Sequence, residues 1–173
     1  MRSGGDKDEA EPSYEGKTII LCIGNRYMKD DGVGPEISRR LREMALSPQV
    51  VVFDSVSVDL ATVWQFRSAK KLLVVDAIRS GDRPGSVSRY SLVPGKGSAP
   101  LLPSLHGLDL TSAVDLAALD GPSLKIAILG VEPEDCSPGE GLTKQVEVAI
   151  PGAIEEILVE LGGADPGGPL PTS

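Results

Sequence analysis

The chain is poor in several kinds of residue, and each shortage removes a class of function. Aromatic residues make up 3% of the 173 positions, with one Trp and two Phe, so the core must be built from Val, Leu, Ile and Ala. There are two cysteines, Cys22 and Cys136, with no CxxC spacing, which reads as a pair of reduced thiols in a cytosolic protein rather than a disulfide framework or a zinc knuckle. The net charge is −8, which argues against a nucleic-acid partner, because neutralising phosphates requires clustered Lys and Arg. No apolar run reaches membrane-spanning length, and the polar start MRSGGDKDEAEPSYEG has no apolar segment of the secretory kind. Neither G-x-G-x-x-G nor G-x-x-x-x-G-K-[ST] occurs, so the nucleotide-binding loops are excluded. Histidine is represented by His106 alone.

What is present is a strand, an acidic glycine-hinged loop and a helix in residues 19–34, IILCIGNRYMKDDGVG. The β-branched run stops at Gly24-Asn25, and Asp30 and Asp31 stand side by side before Gly32 and Gly34. Loops at the carboxyl ends of strands are where open α/β sheets bind ligands. An acidic loop suits a cation and repels a phosphate.

The length fits one domain. Residues 1–16 are expected to form a disordered arm, 17–161 the folded domain and 162–173 a disordered tail. Strands are predicted at Lys17–Ile23, Val50–Phe53 and Leu72–Val75, the latter two ending at Asp54 and Asp76. Val33, Ile37, Leu41 and Met44 mark one face of a helix with Pro35 in its first turn. A short helix carrying Trp64 is expected over Leu60–Ser68. Strands alternating with helices imply parallel pairing. The ten residues between Asp76 and Val87, AIRSGDRPGS, are too few for a helical crossover, so Val87–Leu92 should run antiparallel. Leu110, Ala113, Val114, Ala117 and Ala118 mark another helix, Leu124–Val131 a last strand, and Thr143–Leu161 a final helix with Thr143 as N-cap and a kink or restart at Pro151.

Asp31, Asp54 and Asp76 thus lie at strand ends, and parallel neighbours would bring them to one rim. His106 precedes a predicted helix, whose N-terminus favours the neutral imidazole, the form that ligates a metal. Two carboxylates and an imidazole would suit Zn, Ni, Fe or Mn with open positions left over. Each residue also has a plain structural reading. Asp30 or Asp31 could cap the helix entered at Pro35, Asp54 could orient its own loop, and Asn25 could satisfy turn backbone groups.

Taken together, six ordered motifs are similar to those of the nickel–iron hydrogenase maturation endopeptidases. They are I-G-N at 23–25, D-D-G-V-G at 30–34, V-D-A-I at 75–78 with P-G at 84–85, His106 with Leu108, G-V-E-P-E at 130–134 and G-L-T at 141–143. The resemblance implies a three-layer α/β/α sandwich of the phosphorylase/hydrolase-like kind. Its five-stranded, mostly parallel mixed sheet would have one antiparallel strand and the order 2-1-3-5-4. It implies an aspartyl-type or metal-dependent peptidase that removes the C-terminal extension of a hydrogenase large-subunit precursor in the cytoplasm. Asp31, Asp76 and His106 would serve as catalytic and metal-binding residues. Nickel would be presented by the substrate rather than bound permanently. Asn25, Asp30 and Asp54 would be substrate-loop candidates. Many relatives carry D-G-G-T or D-C-G-T after the second strand, where this chain has Asp54-Ser55-Val56-Ser57.

Two other classes compete with this reading. One is a non-catalytic, nickel-dependent binding module for the large subunit, which the altered 54–57 loop would suit. The other is a peptidyl-tRNA hydrolase-like esterase, which shares the strand running into G-N. Its catalytic His should follow the Asn closely, whereas His106 stands far downstream.

Overall fold

The computed structural model describes residues 13–92 and 124–162. Five strands form one sheet: β1 (Thr18–Ile23), β2 (Val50–Ser55), β3 (Lys71–Ala77), β4 (Val87–Leu92) and β5 (Lys125–Val131). Their order is β2-β1-β3-β5-β4, with β4 antiparallel to β5 and every other pairing parallel. The short connection after Asp76 therefore does what its length predicts. Too short to carry a helix back across the sheet, it lets β4 pair antiparallel at the edge.

Side-chain alternation divides the sheet into two cores. On one face Ile20, Cys22, Leu73, Val75, Leu129 and Val131 meet α1 (Val33–Arg42) and α3 (Lys144–Gly162) through Ile37, Leu41, Val146, Ile150, Ala153 and Ile157. On the other face Ile19, Leu21, Ile23, Leu72 and Val74 meet Val63 and Phe66 of α2 (Leu60–Gln65) and its following turn. Helices on both faces complete the three layers. The central strands are buried on both sides, which is why they read as unbroken apolar runs rather than alternating ones.

Several boundaries differ from the sequence reading. Strand β3 continues past Val75, so Asp76 sits inside the strand rather than after it. Helix α1 ends at Arg42, and Met44 is left exposed beyond it. Helix α2 is shorter than expected, and exposed Trp64 is covered by the Arg67 guanidinium 4.8 Å from the ring. Helix α3 passes through Pro151 as one element without a restart. Pro151 is exposed, so the carbonyl it leaves without a helical partner lies on the solvent side.

The start of the described chain is attached to the domain within the segment expected to be a free arm. Tyr14 stacks edge-on against Phe53 and Phe66, and Glu15 bridges to Ala69. Three of the few aromatic residues thus cluster at one spot. Residues 1–12, the predicted helix around 110–118, His106 and residues 163–173 lie outside the described residues. Among the described residues, no helix is long and apolar enough to cross a membrane.

Candidate active site

The site begins where β1 ends. Gly24 adopts φ +147, and a Cβ there would stand 1.9 Å from the Asp31 carbonyl oxygen. A Cβ at Gly34 would stand 2.1 Å from the Ile23 carbonyl oxygen. The two glycines let the acidic turn fold back onto the strand end, an approach that any side chain would block. Between them Asn25 builds an Asx turn. Its Oδ1 accepts from the Tyr27 amide at 3.0 Å, and its carbonyl accepts from the Met28 amide at 3.0 Å. The plain reading of Asn25 therefore holds. Its own amide adds something further, donating to Asp31 Oδ2 at 2.8 Å.

Asp30 and Asp31 occupy a 3-10 turn, Lys29–Gly32, that leads directly into α1. The N-cap position of α1 is taken by Gly32, so neither carboxylate stands at the N-cap of that helix. Adjacent in sequence, the two carboxylates bond to different partners.

Asp30 is fully buried and accepts four hydrogen bonds. They come from the amides of Glu134 and Asp135, both at 2.9 Å, from the Thr143 amide at 2.6 Å and from Thr143 Oγ1 at 2.9 Å. This corrects the expectation that Asp30 would face a substrate. A carboxylate can only accept, and these donors occupy it completely enough to make it the anchor of the 134–143 segment. Backbone bonds reinforce the tie. The amides of Lys29 and Asp30 reach the carbonyls of Gly139 and Asp135, and the Gly139 amide reaches Tyr27. The side chains of Lys29 and Asp135 form an ion pair, which pulls the Asp135 carboxyl well below the usual carboxylate range. Thr143 precedes α3 as expected of an N-cap, but its hydroxyl donates to Asp30 instead of accepting from the helix.

Asp31 and Asp76 are both buried, at 5% and 2% exposure. Alternation along β3 turns Asp76 to the α2 face, where its register partner on β5 is Gly130. A Cβ at Gly130 would lie 2.8 Å from Ile78 Cδ1, so the Ile78 side chain fills the space over Gly130 beside Asp76. The 3-10 turn carrying Asp31 packs against β3. Cys136 and Arg79 join the same group. Burial pushes the Cys136 thiol up, the Arg79 guanidinium opposes that rise through its charge and a hydrogen bond, and the charge of Asp31 adds to it. Glu132, also buried, accepts from the amide of Ser80 and from its hydroxyl, each at 2.7 Å, and fixes the connection after β3.

Asp54 does not converge with this group. It is paired with Arg42 of α1 at 2.9 Å. Cys22 of β1 pairs with Asp54 on one side and with Val75 on the other, so β1 stands between the two acidic strand ends. Two strand spacings amount to about 10 Å, and alternation sends Asp54 to the α1 face and Asp76 to the α2 face. Parallel neighbours share a rim, but residues one strand apart with opposite pleat do not share a site. Among the described residues no three metal-binding side chains come together. A metal held by Asp31 and Asp76 needs further donors, from His106 or from the substrate itself.

Sequence reasoning missed the role of Asp30, the placement of Cys136 and Arg79, and the bond from Glu132 to Ser80. The G-V-E-P-E and G-L-T motifs were visible, but nothing local in them says that both donate to Asp30.

The fold is shared with a solved endopeptidase. The structure of the hydrogenase maturating endopeptidase HybD from Escherichia coli matches with a TM-score of 0.73 and 26% identity, over 86% of this chain and 94% of that one. Hydrogenase 2 maturation protease of Escherichia coli strain K12 is 29% identical over 150 residues, covering 84% of this chain and 90% of that protein. The coenzyme F420 hydrogenase subunit delta of Methanothermobacter thermautotrophicus is 29% identical over 170 residues, covering 86% and 97%. The class is thus a peptidase on a three-layer α/β/α frame. The family HycI, hydrogenase maturation protease, matches residues 35–160, and this chain belongs to the hydrogenase maturation protease family.

Proposed function

We propose that the chain removes the C-terminal extension of a nickel–iron hydrogenase large-subunit precursor once nickel has been inserted, acting in the cytoplasm. The observation that carries this reading is the pair of buried carboxylates, Asp31 and Asp76, on a turn and a strand packed against each other, in a chain of this family. Nickel is part of the substrate. Held by the precursor, it would be met by Asp31, Asp76 and His106, a carboxylate–imidazole set of the kind that suits it.

The residues around the pair serve that task by rigidity. Asn25 fixes one oxygen of Asp31 through its amide, and Gly130 lets the Ile78 side chain pack directly onto β5 beside Asp76. Asp30 ties the turn to the 134–143 segment, so that the carboxylate of Asp31 does not drift when the substrate arrives. In the reaction, water adds to the scissile carbonyl, the carbon–nitrogen bond breaks and the departing amine takes a proton. Precursor without nickel gives the carboxylates nothing to grip, which makes the metal a checkpoint on maturation.

The test is to mix the purified protein with unprocessed large subunit, nickel-loaded or nickel-free, and to read intact masses. Loss of a C-terminal peptide from the loaded precursor alone is the expected result. An unchanged mass in both arms would overturn the reading and favour a binding module, and equal cleavage in both would remove nickel from it.

A further inference from the structure

On the side of the acidic turn where Gly32 is bare lies a cleft of about 370 Å³. Its walls include Arg26, Lys29, Glu36, Leu142 and Glu147. Gly32 belongs to the same 3-10 turn as Asp31, so whatever occupies the cleft is contiguous with the candidate catalytic turn.

The charges of the cleft are mostly satisfied by the protein itself. Lys29 is bound to Asp135. Glu36 is held by both Arg39 and Arg40 at 2.8 Å. Glu147 is exposed and lies 4.0 Å from Arg40. Arg26 has no hydrogen-bonding or ionic partner among the described residues, and it is exposed. In a chain of net charge −8 this leaves one positive charge of the cleft available to an outside anion.

Its backbone is not loose. Arg26 sits in the Asx turn of Asn25, and the next residue is tied to the 134–143 segment through the bond from the Gly139 amide to the Tyr27 carbonyl. Tyr27 is 68% exposed, the equal of Val56 as the most exposed large apolar side chain of the described residues. An Arg and a Tyr side by side on a fixed turn, both uncovered, have the composition of an interface anchor. The guanidinium supplies a planar fork for a carboxylate and the exposed ring supplies apolar contact area next to it in the chain. Their preset backbone lowers the ordering cost of binding.

We propose that this cleft is a docking subsite of the peptidase, in which Arg26 binds an acidic side chain of the hydrogenase large-subunit precursor. The proposal rests on the reading of that precursor as substrate. It makes Arg26 a specificity residue, acting on binding and not on the chemical step.

The experiment is steady-state processing and direct binding of nickel-loaded large-subunit precursor by the full chain and by Arg26→Ala, Arg26→Lys and Arg26→Glu. Arg26 is exposed, so all three should fold. Arg26→Ala should raise KM and Kd roughly ten-fold, the weight of one charge-assisted hydrogen bond, with kcat unchanged. Arg26→Glu should raise them further and Arg26→Lys should recover part of the loss. Added salt should weaken binding by the wild type and leave Arg26→Ala nearly unaffected. Asp31→Asn serves as the control, since it should lose turnover while the salt dependence of its remaining binding stays that of the wild type. Wild-type KM, Kd and salt dependence in Arg26→Glu would overturn the docking proposal alone. A wild type that neither binds nor cleaves the precursor would overturn both the proposal and the reading beneath it.

Discussion

The two ends of α3 are both fastened by a carboxylate, in opposite ways. At its start Asp30, on another element, accepts from the Thr143 amide and hydroxyl and from two further backbone amides, with no cation involved. At its end Glu160, on the helix itself, meets Lys71 and Arg89, and Lys71 also donates to the Glu160 carbonyl at 3.1 Å. Both arrangements agree with the helix dipole, which favours an anion at the first turn and a cation at the last. They differ in what they can hold still. Amides fixed by the fold define the position of Asp30 to a fraction of an ångström. Two long basic side chains around Glu160 can shift together, and partial exposure lets salt weaken them. The rigid fastening lies one residue from Asp31, where precision matters to chemistry, and the adaptable one lies at the other end of the helix.

The largest effect should come from the proposed catalytic residues, of which the rigid end positions Asp31. Asp31→Asn, Asp76→Asn and His106→Ala should each lower processing of nickel-loaded precursor by about a hundred-fold or more, with melting temperatures close to wild type. Processing at the wild-type rate by all three variants would remove the triad from the mechanism.

Next comes the comparison itself. Asp30→Asn and Glu160→Gln make the same chemical change at the two ends. At position 30 an NH₂ group replaces an acceptor among four donors, and urea denaturation should show a loss of about 3 kcal/mol. At position 160 the cations can turn to water, and the loss should be about 1–2 kcal/mol. Added salt should narrow the difference between Glu160→Gln and wild type and leave that for Asp30→Asn unchanged. Equal losses with equal salt dependence would dissolve the distinction drawn between the two ends.

The smallest effect is expected on the outer face of α1. Hydrogen bonds from Arg39, and then from Arg40, hold the Glu36 carboxyl down at about 2, against an ordinary value of 4.5. The folded value is the lower one, so the stabilisation is complete above about pH 4.5 and is lost as the pH falls toward 2. Glu36→Gln should therefore flatten the dependence of melting temperature on pH in that window, by a few tenths of a kcal/mol. An unchanged slope would assign acid lability elsewhere, with Asp135 and its Lys29 partner the next pair to test.

Much of this was readable one residue at a time. The run IILCI could only be a strand buried on both faces, and the ten residues after Asp76 were too short to bring β4 back parallel. The glycines at 24 and 34 marked a close approach, and the structure puts atoms to it: the carbonyls of Asp31 and Ile23. Asp30 and Asp31 were legible as an acidic pair but not as a divided one. Asp30 is held by donors more than a hundred residues away in the chain, whereas one oxygen of Asp31 takes the amide of Asn25, six residues back. Asp54 misled for a related reason. A strand-end aspartate announces a rim, but not which face of the sheet it takes.

The sequence by itself determined the class of fold, the parallel core with its one reversed edge strand, and the short set of acidic positions from which any site had to be drawn. Those depend on the spacing of apolar residues and on loop length, both local properties of the chain. Only the tertiary structure decided that Asp30 is an anchor, that Asp54 belongs to Arg42 and that Arg26 is the cleft residue left without a partner among the described residues. A carboxylate and a guanidinium carry the same chemistry wherever they stand. Which donors and charges surround them is fixed by segments far away in sequence, and only the packed fold brings those segments together.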